Sequence, residues 1–232
     1  MQNPPWLDGS NPHRKDPTIP FYNFFVDIEY LQGRYRWKDS TPSDSIEVIS
    51  RVLTSLFPDK CLRTWPSEHI PMTIEGWAEK YKYGFAVDAS ISRIVRSITT
   101  EGDKHEMSIP LAVITAKKER GTAGIAKHEI PHLLLQLNMV FNYDQTRNEY
   151  DAFLITLERP YTYRFVRAIA SAEYIRSVRG NEPVKGTLKV LRSKRFWIGP
   201  SMSDRREFLR GFIGFARALV HREEFKFPLH EI

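Results

Sequence analysis

Between residues 84 and 169 the hydrophobic period of the chain changes twice, and few folds accommodate that order. Gly84–Ile98 and Ser108–Lys117 are rich in β-branched residues and separated by a polar loop, which predicts adjacent strands of one hairpin. From Ala126 to Tyr143 the apolar residues Ile130, Leu133, Leu134, Leu137, Val140 and Phe141 recur at helical spacing, with Pro131 in or near the first turn, where a missing N–H costs little. Asp151–Leu157 and Tyr161–Ile169 then return to strand character across Arg159-Pro160. Strands, helix and strands again predict an α/β domain, with a mixed central sheet flanked by helices.

The flanks fit one such domain over residues 21–232, preceded by an extended arm. Residues 1–20 hold Pro4, Pro5, Pro12, Pro17 and Pro20, which bar a helix. Phe21–Trp37 is aromatic and partly alternating, so a strand or a short strand pair broken near Gly33 is expected. Thr41-Pro42-Ser43-Asp44 starts a helix that carries Ile46, Ile49, Val52, Leu53 and Leu56 on one face and stops at Pro58. Leu62–Gly84 reads as a packed loop with room for one helical turn. A short helix over Ser171–Val178 and a strand over Gly186–Leu191 lead to a C-terminal helix capped by Ser203 or Asp204. That helix carries a stripe of Phe208, Phe212, Phe215 and Leu219, while Gly211 and Gly214 point to close approach of a neighbouring element.

Composition narrows the class of protein. Among 232 residues, 41% are hydrophobic, enough for one sizeable core. The single cysteine, Cys61, excludes an internal disulfide framework and a cysteine-rich zinc module, and favours a reducing compartment. Neither a signal peptide nor a membrane span is legible, so nucleus or cytoplasm is the expected location and no membrane partner is expected. A net charge of +6 suits a polyanionic partner.

Hydrolysing a phosphodiester usually requires a divalent ion on oxygen ligands and a cation near the reacting phosphate. Two neighbouring strands can supply both, if one ends in Asp and the next carries an acid and a lysine two positions apart on one face. Here Gly84-Phe85-Ala86-Val87-Asp88 meets the first requirement, and the run Pro110 to Lys117 the second, with Thr115 in the acid's place. This arrangement resembles the PD-(D/E)XK nuclease superfamily, whose core runs helix, strand with Asp, strand with Glu-X-Lys, helix, strand. The likeness covers residues 44 to 220, and the tail fragments Tyr163–Ala168, Ala172–Ile175, Leu188–Ser193 and Asp204–Phe208 resemble fungal proteins built on that fold.

The resemblance implies a restriction-endonuclease-like core, Asp88, Thr115 and Lys117 at the catalytic centre, and Gln136 on the following helix. It implies magnesium as the cofactor, held by Asp88 and by an acid that has migrated, Glu129 or Glu47. Thr-X-Lys in place of Glu-X-Lys puts the metal in doubt, because a neutral hydroxyl is a poor ligand for a hard cation. The implied function is a nuclease-derived scaffold that binds DNA, RNA or a protein partner with weakened or lost catalysis. Its rivals are a working Mg²⁺-dependent nuclease and a pure protein-interaction module.

Other motifs are weighed beside it. Lys189, Arg192, Lys194, Arg195, Arg205, Arg206 and Arg210 are interleaved with Phe196 and Trp197, a mix that grips phosphates while an aromatic stacks on a base; in the other reading Phe196 and Trp197 are core residues ending a strand and the charges solvate the rim. Val26-Asp27-Ile28-Glu29 has the Asp-X-Glu form of a two-metal exonuclease, without the later aspartates that class requires. His128-Glu129-Ile130-Pro131-His132 matches His-Glu-X-X-His, yet Pro131 interrupts the helix and no third zinc ligand follows. There is no phosphate-cradling glycine loop and no Gly-X-Ser-X-Gly elbow.

Overall fold

The computed structural model describes residues 25–26, 49, 52, 62–66, 72–73, 84–85, 89–98, 104–116, 125–159, 162–180, 182–198 and 201–221. Among the described residues, nine strands run β1 (Leu62–Pro66), β2 (Met72–Thr73), β3 (Gly84–Phe85), β4 (Ala89–Ile98), β5 (Lys104–Ala116), β6 (Glu149–Arg159), β7 (Thr162–Ser171), β8 (Leu188–Arg192) and β9 (Phe196–Trp197). Helices α1 (Ile125–Tyr143), α2 (Ala172–Arg179) and α3 (Met202–His221) alternate with them. A seven-stranded sheet has the order β1-β4-β5-β6-β7-β8, with β9 also on β7, and β2 pairs β3 separately. All pairings are antiparallel except β5 with β6, which are parallel and joined through α1. The architecture is therefore α/β with a mixed central sheet, as the alternation of periods predicted.

Each face of the sheet buries its own apolar cluster, because successive strand residues point to opposite sides. On one face Phe153, Ile155, Tyr163 and Phe165 pack with Phe208, Phe212, Phe215 and Leu219 of α3, joined by Ile49 and Val52. On the other, Leu154, Val166, Ala168 and Ala170 pack with Leu133, Leu137 and Val140 of α1 and Ile175 of α2. Ile49 and Val52 are helical and buried, consistent with the predicted first helix. A bulge sets Ile91 opposite Ala112 and Ser92 opposite Pro110, so Leu111 and Ala112 both join the α3-side cluster. Pro110 has no N–H for a ladder, which suits a break in pairing there.

Several expectations need correction. Gly84–Phe85 belongs to the small sheet with Met72–Thr73, and the long strand begins only at Ala89. Part of the stretch read as loop, Leu62–Pro66, is a strand against β4; a five-residue edge strand with a proline at its end gives too short a pattern to recognise. Phe25 and Val26 are helical where alternation predicted strand. The C-terminal helix begins at Met202, ahead of both predicted caps, Ser203 and Asp204. Ser201 is its cap, accepting from the Ser203 amide at 3.2 Å.

Gly211 does mark a close approach: a Cβ there would lie 2.4 Å from the Phe196 ring. Gly214 does not, since nothing lies within 4 Å of a Cβ at that position. Gly211→Ala is expected to cost about 1–3 kcal/mol by overpacking Phe196, against a helix-propensity gain of roughly 1 kcal/mol that Gly214→Ala keeps in full. Paired urea titrations check this, the two variants moving in opposite directions.

After α1 the chain turns on Asp144. Its carboxylate accepts from the Thr146 amide at 3.0 Å, from Thr146 Oγ1 at 2.6 Å and from Arg147 Nε at 2.6 Å. Burial pushes this carboxyl up, but the bonds from Thr146 and Arg147 together outweigh it and hold it below its ordinary value of 3.8. A depressed folded value means a contribution that is complete above the unfolded value and lost as pH falls through the folded one. Asp144→Asn is therefore expected to lower stability at neutral pH, with the gap to wild type closing below about pH 4, the ordinary carboxylate range. Thermal melts from pH 7 to pH 2 check it.

Candidate functional site

Along α1, the side that meets the sheet is partly polar. Glu129, His132 and Gln136 are buried there with Leu133, Leu137 and Val140, whereas Ile130 is exposed and Leu134 half-buried. The predicted stripe was therefore rotated: counting apolar residues alone put Ile130 inward and left out the buried polar ones. That departure locates the site, since buried polar groups are kept only where something satisfies or uses them.

Opposite α1, the register lines up polar residues across the strands. Thr115 of β5 faces Thr156 of β6, which faces Arg164 of β7. All three share the α1 side, being in phase with Val113, Leu154 and Val166 of that cluster. One pair further along, Val166 faces Arg192 of β8. The hydroxyls of Thr115 and Thr156 are buried and have no hydrogen-bond partner.

Glu129 joins helix to sheet edge. It is wholly buried, and its Oε2 accepts from Arg192 Nε at 2.7 Å, while Oε1 has no partner. A buried carboxylate needs such a counter-charge, because desolvation alone would cost several kcal/mol. Gln136 holds the helix to β6, its Oε1 accepting from the Phe153 amide at 2.7 Å. The parallel ladder pairs only Val113–Ala116 with Leu154–Leu157, so Gln136 satisfies a β6 amide just before that ladder begins.

Thr115, Glu129 and Gln136 thus share the α1 side of the sheet. Asp88, Lys117 and Glu47 lie outside the described residues. Of the strands, Ala89, the first residue of β4, faces Ile114 near the end of β5. The described residues do not themselves fit a magnesium centre: no group of three or more His, Cys, Asp or Glu converges among them. The buried carboxylate of α1, Glu129, is taken up by Arg192. His132 is buried on α1; the side chain of His128 lies outside the described residues.

The basic tail divides. Lys194 is ion-paired with Glu207 and stands 5.8 Å above the Phe196 ring. Arg205 lies 5.3 Å over the ring of Phe25 and is half-buried. Arg195, Arg206 and Arg210 are exposed, and Trp197 is 44% exposed. Phe196 belongs to the α3-side core, so alternation turns Trp197 to the α1 side. Phe196 is thus a core residue, as one reading expects, whereas Trp197 is not. Arg192 belongs to the basic tail segment singled out in the sequence, but its pairing with Glu129 carried no sequence signal; Arg164 was not singled out, because a lone arginine on a strand has no spacing signal and only the register reveals its neighbours.

Fold and site define an α/β protein whose mixed sheet carries a buried polar cluster under α1. No family model matches the chain, and no curated protein matches it significantly in sequence. Among the described residues, no helix is long and apolar enough to cross a membrane.

Proposed function

We propose that this chain is a nuclease-derived scaffold, with a restriction-endonuclease-like core, that binds nucleic acid while its catalytic centre is weakened. The observation that carries the reading is the position of Thr115. It sits on the α1 side near the end of β5, the strand that leads through α1 into the parallel partner β6. In the nucleases that this order of elements resembles, that position carries the metal-binding acid. A threonine there leaves a polar, uncharged floor, and on the same side of the sheet Arg192 holds the buried Glu129 with its own side chain partly in solvent. Such a site retains attraction for phosphate and loses the strongest ligand for magnesium.

The test pairs binding with cleavage. Labelled DNA and RNA are titrated with the protein at several salt concentrations, and plasmid is incubated with Mg²⁺ or Mn²⁺. The expected result is salt-sensitive association with intact plasmid, unchanged in Lys117→Ala. Removing exposed Arg206 and Arg210 together should flatten the salt dependence for duplex by about 1.8 in log–log slope, if both touch phosphate. Plasmid cutting that Lys117→Ala abolishes would favour the working nuclease. Absence of association at low salt would leave a protein-interaction module.

A further inference from the structure

We infer that the α1 side of the β8–β9 edge is a seat for single-stranded nucleic acid, with Arg192 binding phosphate, Glu129 positioning it and Trp197 stacking on a base. This rests on the nucleic-acid reading above and names which form of nucleic acid the surface fits.

The first observation is how Arg192 is held. Glu129 engages it through Nε alone, and the two terminal amino groups make no hydrogen bond among the described residues. The side chain remains 37% exposed. A guanidinium anchored at Nε by a wholly buried carboxylate keeps its outer donors in a fixed direction, so less freedom is lost when an anion docks. The pair ties α1 to β8, and a buried carboxylate is costly to keep. Ligand binding by the arginine that it aims accounts for its presence.

The second observation is register. Arg164 lies on the same side, diagonal to Arg192 across β7 and β8. The third is Trp197, which turns to that side with nearly half its surface in solvent. The β7 partners of Arg192 and Trp197 are Val166 and Thr162, four residues apart, which is roughly 13 Å along the strand. Bases inside a duplex are stacked on one another and offer no free face to an exposed indole. Unpaired bases do, and a row of cation and aromatic on that scale matches a short single-stranded segment.

The experiment uses the full chain and fluorescence anisotropy with a labelled oligothymidine and a duplex of equal length. Wild type is expected to prefer the single strand. Trp197→Ala should weaken single-strand binding about tenfold, the scale of one stacked base, and leave duplex binding unchanged. Arg192→Lys keeps the charge but not the Nε contact, and should also weaken it. For positioning, Glu129→Gln retains an acceptor for Arg192 Nε and should keep binding, whereas Glu129→Ala should lose as much as Arg192→Ala, with no further loss in the double variant. A purely structural Glu129 would give additive losses and no rescue by glutamine. Circular dichroism checks folding; should Arg192→Ala fail to fold, Trp197→Ala and Arg192→Lys still decide. If wild type binds single strands and both of those variants bind equally well, or if duplex is preferred, the inference is overturned. If wild type binds no nucleic acid, the functional proposal fails first and this one with it.

Discussion

Phe165→Ala is expected to lower the unfolding free energy by about 4 kcal/mol, within the range for deleting a buried phenylalanine. Phe165 is the hub of the α3-side core. Its ring stacks on Phe215 at 4.9 Å and lies 5.5 Å from Phe196, 6.0 Å from Phe212 and 6.1 Å from Phe208. Removing it strips four rings of a common neighbour, so aromatic contacts are lost beyond the apolar area. The helix that Phe165 anchors also carries Ala216 and Leu219 into the same cluster, which limits how far it can collapse into the gap. Urea unfolding of Phe165→Ala beside Phe165→Leu measures it. A loss below about 1 kcal/mol, the size of a tolerated volume-conserving swap, would mean that this cluster is not formed.

Arg192→Ala should cost about 3 kcal/mol, the lower end for breaking a buried ion pair, because the arginine side of this one is partly in solvent. The penalty arises chiefly from Glu129, left charged in the interior with no hydrogen bond to either oxygen. It follows that replacing both residues by leucine should cost less than Arg192→Ala alone. Comparison of the two variants by denaturant titration separates the orphaned charge from the lost contact, and a larger loss in the double leucine variant would contradict this account.

Long elements were legible wherever one period dominated. The helix at 125–143, the paired strands on either side of Arg159-Pro160 and the phenylalanine stripe of α3 all follow from spacing alone. Short elements were not. Leu62–Pro66 takes its strand character from β4, and Gly84–Phe85 pairs with a two-residue partner, so tertiary contact decided both. The candidate site was half legible. Thr115, Glu129 and Gln136 were picked from motif order and do share one side of the sheet. The pairing of Glu129 with Arg192 was not legible, since 63 residues separate them and only the fold brings them together. The rotation of α1 shows the general reason: a polar residue can face inward when another element answers it, and a single sequence does not print that answer.

The outermost ladder on β7 has a consequence for solubility. β8 and β9 lie on the same flank of β7 but are not continuous, and Ser193 bridges the gap, its amide donating to Phe165 O at 2.9 Å and its hydroxyl accepting from Phe165 N at 3.0 Å. Phe165 thus keeps a full complement of partners while the flanking backbone is broken into two short pieces studded with Lys189, Arg192 and Arg195. Foreign chains add to a sheet by zipping along an unbroken rim, and a kinked, cationic rim gives them no straight template to copy.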